Sequence, residues 1–388
     1  MKTQFAVLGA GMQGTAAAYD LARFAHAESV LLADMHLSQA QKAADRVNML
    51  LGRKTCHATS VNALDPASLG RMLESVDVML SCVPYWMHPL IAKTAIATKT
   101  NMLDLGGDTE ETMKTLALHD DAIAAGISLV PDCGLAPGLV NNIGMYLVGE
   151  FEQPETVKMY CGVLPQNPKP PFNYKLTFNV EGLVAEYEDE AVALRNGEVI
   201  LIETLAELED LHIEQLGPME AFTTSGGTST APYTLQGKIP NYEYKTIRHP
   251  GHCEKMRIFK DFGFWGKDPV EAAGVSIRPR DLFFKVFGEK LAAYKDLDLC
   301  AIRGVGIGTR KGERMRLQVD IFDKQCEVTG FTSMERLTGF SLAIVAAQVA
   351  AGNVAKGGIR YETAMPSKLF LDEIQKRGVS IKFSEERA

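Results

Sequence analysis

The sequence predicts an α/β protein, in which a Rossmann-type doubly wound parallel sheet is followed by a second, α+β domain with a mostly antiparallel sheet. Three observations carry this. Short apolar runs alternate with longer helical patterns as far as Pro131. A glycine-rich turn joins the first run to the first helix. Beyond Pro131 the texture changes: Pro165, Pro168, Pro170 and Pro171 crowd one loop, and strand-like runs then follow one another across turns.

The first half reads as the run FAVLGAG and a helix from Gln13, SVLLAD and a helix from Ser38, VDVMLSCVP and a helix, NMLDLGG and a helix, then ISLVPD. Helices on both faces of such a sheet require strands that are apolar on both sides, and VLLA and VMLSCV are. In the second half, KLTFNV, GEVILI, YEYKTIR, RLQVDIFD and CEVTGF read as strands. Helical patterns return over 333–352 and 367–377. The expected division is a nucleotide-binding domain over 1–135, joined by returning C-terminal helices over 335–388, and a substrate-binding and oligomerisation domain over 136–334.

Composition narrows the classes. The chain has 388 residues, 46% hydrophobic, enough for a full core. Its 40 basic and 48 acidic residues give a net charge of -8, and the basic residues are scattered, so no nucleic-acid partner is expected. A strand and glycine loop stand where a signal peptide needs its apolar stretch. The run Phe340 to Ala351 is interrupted by Gln348 and falls short of the roughly 18 to 20 apolar residues of a membrane span. Seven cysteines without a C-x-x-C suit reduced thiols in a cytoplasm rather than a structural zinc. The carboxylate run Glu186 to Glu190 reads as a solvated face, and no metal is expected.

Gly9, Gly11 and Gly14 form G-x-G-x-x-G between a strand and an alanine-rich helix, and Asp34 ends the next strand 20 residues after Gly14. In that setting the helix N-terminus faces a pyrophosphate and the aspartate binds ribose hydroxyls. Gly9, Gly11, Met12, Gly14 and Asp34 are therefore expected to bind the cofactor. Met35, His36 and Leu37 follow Asp34 and offer no basic clamp for a 2′-phosphate, so NAD is the expected cofactor. The loop Cys82, Val83, Pro84, at the carboxyl end of VDVMLS, joins the cofactor set; Tyr85 and Trp86 follow it beside nicotinamide or substrate.

Further blocks stand in order: DLGGD from Asp104, PDCGLAPGLVN from Pro131, EGL from Glu181, GPMEAF from Gly217, TSGGTST from Thr224 and YKTIRHPGH from Tyr244. Together they resemble the saccharopine dehydrogenase superfamily, and within it most closely the lysine 6-dehydrogenases. The Pro84-Tyr85-Trp86 sequence departs from that pattern. The resemblance implies a two-domain, homo-oligomeric enzyme that oxidises the ε-carbon of L-lysine with NAD, releases ammonia and gives 2-aminoadipate 6-semialdehyde, which cyclises to piperideine-6-carboxylate. It also supports the return of the last helices to the first domain. Alternatives are a saccharopine or carboxynorspermidine dehydrogenase of the same superfamily, or an NAD(H)-binding sensor without catalysis.

The chemistry also follows from residue types. An amino acid held for hydride transfer presents a carboxylate, which Arg248 suits as a bidentate guanidinium and the Thr228 loop suits through hydroxyls and amides. Removing hydride from an amine requires a free lone pair, yet a lysine amine has a pKa of about 10.4, so deprotonation comes from a base or from high pH. Asp132, Tyr174, Glu181, His249 and His252 are the titratable groups on loops expected at the cleft. Asp132, Tyr174 and His252 are assigned to catalysis, and Tyr85, Glu181, Thr228 and Arg248 to substrate binding.

Overall fold

A computed structural model describes residues 3–188 and 190–388; Asp189, within the acidic run, lies outside the described residues. In the first half the strands are β1 (Gln4–Leu8), β2 (Ser29–Asp34), β3 (Cys56–Ser60), β4 (Val78–Ser81), β5 (Asn101–Asp104) and β6 (Ser128–Val130). They alternate with helices α1 (Met12–Phe24), α2 (Leu37–Leu51), α3 (Pro66–Leu73), α4 (His88–Thr98), α5 (Thr109–Leu116) and α6 (His119–Ala125). The strands pair in parallel, and β17 (Gly357–Gly358) adds to the far edge, in the order β17-β6-β5-β4-β1-β2-β3. The central strands are buried on both faces, as their unbroken apolar runs require. At the opposite edge lies β3, which reads CHATS and carries polar side chains because an edge strand is only partly covered.

Helix α7 (Leu139–Gly149) leads into the second sheet: β7 (Gln153–Pro165), β8 (Glu190–Arg195), β9 (Glu198–Glu203), β10 (Glu209–Ile213), β11 (Gly217–Phe222), β12 (Asn241–Arg248), β15 (Asp298–Arg310), β16 (Glu313–Lys324) and β18 (Ile381–Arg387). The pair β12 and β7 is parallel and the other ladders are antiparallel, so the sheet is mixed and mostly antiparallel. Between its strands run α8 (Val180–Glu188), α9 (Ala231–Leu235), α10 (His252–Asp261), the small hairpin β13 (Val270–Ala272) and β14 (Val275–Ile277), and α11 (Pro279–Ala293). An aromatic cluster that includes Tyr174, Tyr187, Phe222, Trp265, Phe283 and Phe287 fills the space beneath α8, α10 and α11.

The chain then returns through α12 (Ser333–Ala350), α13 (Tyr361–Ala364) and α14 (Ser367–Lys376). Thr332 and Glu335 close a capping box at the start of α12, and its apolar length packs into the core shared with α1 and the first sheet. Gly339 crosses α1 so closely that a Cβ there would stand 2.8 Å from the Cβ of Ala16. Among the described residues no helix is long and apolar enough to cross a membrane.

Three sequence expectations change. KLTFNV is not a strand: Leu176 and Phe178 pack on the aromatic cluster from a segment with no ladder partner, so alternation reports burial rather than pairing. CEVTGF is a turn, closed by Gly330 N donating to Cys326 O and Cys326 N donating to Phe331 O, with Val328 90% exposed. The last segment does not stay with the first domain, because β18 pairs with β16 through seven residues and forms the edge of the second sheet.

Candidate active site

The glycine turn follows β1, and its backbone explains its composition. Gly9 sits at φ +96°, and a Cβ on Gly14 would fall 1.9 Å from the Gly9 carbonyl oxygen, so helix and strand approach closely only with glycine there. A Cβ on Gly11 would meet nothing within 4 Å, which leaves the face of the turn open. Met12 opens α1 and is half exposed. The Asp34 carboxylate is held at the end of β2 by Ala10 N (3.0 Å) and His36 N (2.9 Å). This open turn, helix N-terminus and fixed carboxylate fit a dinucleotide, with pyrophosphate at the amides and ribose at Asp34.

Cys82, Val83 and Pro84 continue from β4 alongside the turn, where Cys82 N donates to Leu8 O (2.7 Å). Tyr85 lies over Gly107, 3.3 Å from where a Cβ there would be; Trp86 is half exposed. The loops after β5 and β6 are tied together beneath it. Asp104 Oδ1 accepts from Gly106 N (2.8 Å) and Asp132 N (3.2 Å), with the buried His88 Nδ1 at 3.4 Å. Asp132, at φ +68°, accepts from Thr112 Oγ1 (2.9 Å) and from Ser229 Oγ (2.6 Å). That last bond joins the first sheet to the TSGGTST loop. Burial, and then the nearby Asp104 charge, lift the Asp132 carboxyl to about 7 against the two hydroxyl donors. A third buried carboxylate, Glu362 of α13, accepts from Thr230 Oγ1 (2.9 Å) at the end of the same loop and from Thr234 Oγ1 (2.5 Å) of α9.

A cavity of about 60 Å³ opens between Leu135 and Ala136 of the loop after β6 and the second sheet. Arg248, Glu186, Tyr174, Tyr244 and Thr246 line it, with Met334 of α12. Arg248 is 4% exposed. Its Nε donates to Tyr187 Oη (3.1 Å), its Nη1 to Ile247 O (3.0 Å), and its guanidinium lies 5.0 Å over the Tyr174 ring. Tyr187 Oη in turn meets His252 Nε2 at 3.1 Å. Burial first, then the Arg248 charge, push the His252 pKa well below the usual imidazole value, so the ring that meets Tyr187 is neutral.

The same architecture and sequence recur in known proteins. Residues 134–379 match the family described as the saccharopine dehydrogenase C-terminal domain, and residues 5–130 match the saccharopine dehydrogenase NADP binding domain. The chain belongs to the saccharopine dehydrogenase family. Among curated relatives, saccharopine dehydrogenase [NADP(+), L-glutamate-forming] of Saccharomyces cerevisiae is 25% identical over 253 residues, 62% of this chain and 55% of the yeast protein. The mitochondrial alpha-aminoadipic semialdehyde synthase of Bos taurus is 30% identical over 54% of this chain and 24% of its own length. The chain thus spans about half, or less, of these relatives. A solved apo saccharopine dehydrogenase (L-Glu forming) from S. cerevisiae superposes with a TM-score of 0.77 at 18% identity, covering 99% of this chain and all of the other, so the fold is shared from end to end.

Within this saccharopine dehydrogenase fold the predicted residues separate. Arg248 and Tyr174 meet at the cavity, whereas Asp132 is not among its lining residues and is buried at the end of the loop after β6, bonded to Ser229. Burial pushes the Tyr174 hydroxyl up to about 12, against the pull of Arg248, so it stays protonated at neutral pH. His252 is not a base facing the cleft: it is 1% exposed, stacks on Phe222, and is separated from Arg248 by the Tyr187 hydroxyl and the Tyr174 ring. Thr228 turns away and donates to Val192 O (2.6 Å), while its neighbour Ser229 meets Asp132. Glu181 is exposed in the first turn of α8; the carboxylate in the cavity wall is Glu186. The acidic run is accordingly no uniform solvated face. Tyr187 is buried, and Glu188 pairs with Arg280 at 3.2 Å.

Proposed function

We propose that this protein oxidises the ε-carbon of L-lysine with NAD as hydride acceptor, releasing ammonia and 2-aminoadipate 6-semialdehyde. The observation that carries this reading is the charge of the cavity: among its described lining residues, Arg248 is the one cation. Saccharopine brings three carboxylates to a site, whereas lysine brings one, and a buried carboxylate without a partner is strongly disfavoured. The relatives' names and the family description point to NADP. The reading of NAD rests on Asp34, whose carboxylate would repel a 2′-phosphate, and on the lack of Lys or Arg in the three residues after it.

In this scheme Gly9, Gly11, Gly14 and Asp34 hold the dinucleotide, which supplies the acceptor for one hydride from the ε-carbon. Arg248 takes the α-carboxylate through Nη2, since Nε and Nη1 are already committed to Tyr187 and Ile247. Ser229 relays the amine proton to Asp132: its hydroxyl already donates to Oδ2 and takes up a replacement proton as it gives its own away. A carboxyl lifted to about 7 is matched to that task near neutral pH. Water then adds to the carbon-nitrogen double bond and ammonia leaves.

The deciding experiment follows NADH and NADPH formation by purified protein with L-lysine, L-ornithine, diaminopimelate and saccharopine. Lysine-dependent reduction of NAD supports the proposal. Turnover of saccharopine with NADP, and none of lysine, replaces it with the reaction in the relatives' names, and nucleotide binding without amine-dependent turnover would mark a sensor.

A further inference from the structure

Arg248 has a neighbour of opposite charge whose geometry is poor for an ion pair and good for a ligand. Glu186 Oε2 stands 3.5 Å from Arg248 Nη2, beyond the roughly 2.7–2.9 Å of a strong charge-assisted hydrogen bond. The guanidinium is almost wholly buried, yet a third of the Glu186 side chain is open, and both groups line the same cavity. Nε and Nη1 of Arg248 are bonded elsewhere, which leaves the arm facing Glu186 as the loosely held one. One cation and one anion thus stand side by side with room between them and the cavity.

We propose that Glu186 is the binding group for the α-ammonium of the substrate, and that with Arg248 it forms a subsite for the zwitterionic head of an L-α-amino acid. The inference rests on the proposed oxidation of an amino acid and adds the group that recognises its α-nitrogen. A zwitterion's carboxylate meets Arg248 Nη2 while its ammonium meets Glu186, so the buried guanidinium and the partly open carboxylate each gain a better partner than they give each other. The head group is net neutral, as is the pair that receives it. An amine with a carboxylate but no α-nitrogen would satisfy Arg248 and leave Glu186 facing an aliphatic carbon, a mismatch that discriminates strongly in a desolvated site. Burial lifts the free Glu186 carboxyl to about 7, with Arg248 opposing, and a bound ammonium would draw it down again.

The test uses the NAD-loaded protein and two pairs of ligands. L-Lysine and 6-aminohexanoate differ only in the α-nitrogen and are compared by turnover; L-norleucine and hexanoate differ in the same way, lack the reacting amine and are compared by calorimetry. The wild type is expected to favour lysine over 6-aminohexanoate at least tenfold in kcat/KM and to bind norleucine at least tenfold more tightly than hexanoate. In E186Q both ratios should fall towards one, mainly through KM, while E186D recovers part of each. Norleucine binding near pH 7 should release protons in the wild type and not in E186Q. If lysine is not oxidised but norleucine selectivity depends on Glu186, the subsite stands and the proposed reaction falls. A wild type that does not distinguish norleucine from hexanoate, or an E186Q variant that keeps the selectivity, overturns the subsite, whatever the turnover.

Discussion

The side chains around Arg248 form a series: the guanidinium donates to Tyr187, and the Tyr187 hydroxyl is hydrogen-bonded to a histidine kept neutral by burial. Y187F removes both bonds while preserving the ring. The loss of about 1 kcal/mol per bond predicts a rise of roughly five- to thirtyfold in the KM for lysine, with kcat within about threefold. Steady-state kinetics checks this, and a fall in kcat with KM unchanged would show that Tyr187 acts elsewhere. D34A should raise the KM for NAD at least tenfold; an unaltered value would remove Asp34 from the ribose site. Replacing Asp132 by Asn keeps the shape and removes the proton acceptor, so kcat should drop by about 100-fold or more. The limb of the pH profile near 7 should disappear with it, a change that loop disruption alone would not produce.

Elements set where those residues stand, and here the close crossing of α12 over α1 is decisive. G339A would push a Cβ to within 2.8 Å of Ala16 Cβ and of the Gln13 carbonyl oxygen, in a region with no space to yield. A loss of about 1–3 kcal/mol is expected, read as a lower urea midpoint at unchanged slope. A midpoint within error of the wild type would show that the helices slide apart freely. The same scale explains what the sequence disclosed. The strand-helix alternation of the first half was legible because a sheet covered on both faces demands continuous apolar strands, and the Gly9 to Asp34 spacing belongs to that local unit. The cavity was only half legible. Glu181 and Glu186 are five residues apart, about 140° around a helix, and flank the buried stripe of Leu183, Val184 and Tyr187 on opposite sides. Nothing in one helix says which flank meets a distant strand. Likewise, Thr228 and Ser229 are adjacent hydroxyls in a glycine-rich loop, and only the positive φ of Ser229 turns it towards Asp132.

At the scale of the whole molecule, buried carboxylates couple stability to pH. Asp132 titrates near 7 in the fold against 3.8 as its ordinary value, and Asp20, buried against Arg377, near 6. Between the two values the native state holds protons that the unfolded chain has released, so this share of stability is fully present below about pH 4 and is lost as pH rises through about 7. Wild type should therefore lose ground relative to D132N over that window, by on the order of a few kcal/mol, in urea titrations at pH 5 and pH 8. A constant difference would show that Asp132 titrates normally.

The interleaving of the two sheets also bears on how the protein is made. The β17 strand and the α12 cover of the first sheet come after nearly the whole second sheet, and β18 closes the second sheet only after that. On the ribosome, a nascent chain that has completed β1 to β6 still presents the alanine-rich face of α1 uncovered until residue 350 has emerged. Neither half can finish alone, so a gene cut between them should yield two fragments that need each other, or a chaperone, to stay dispersed.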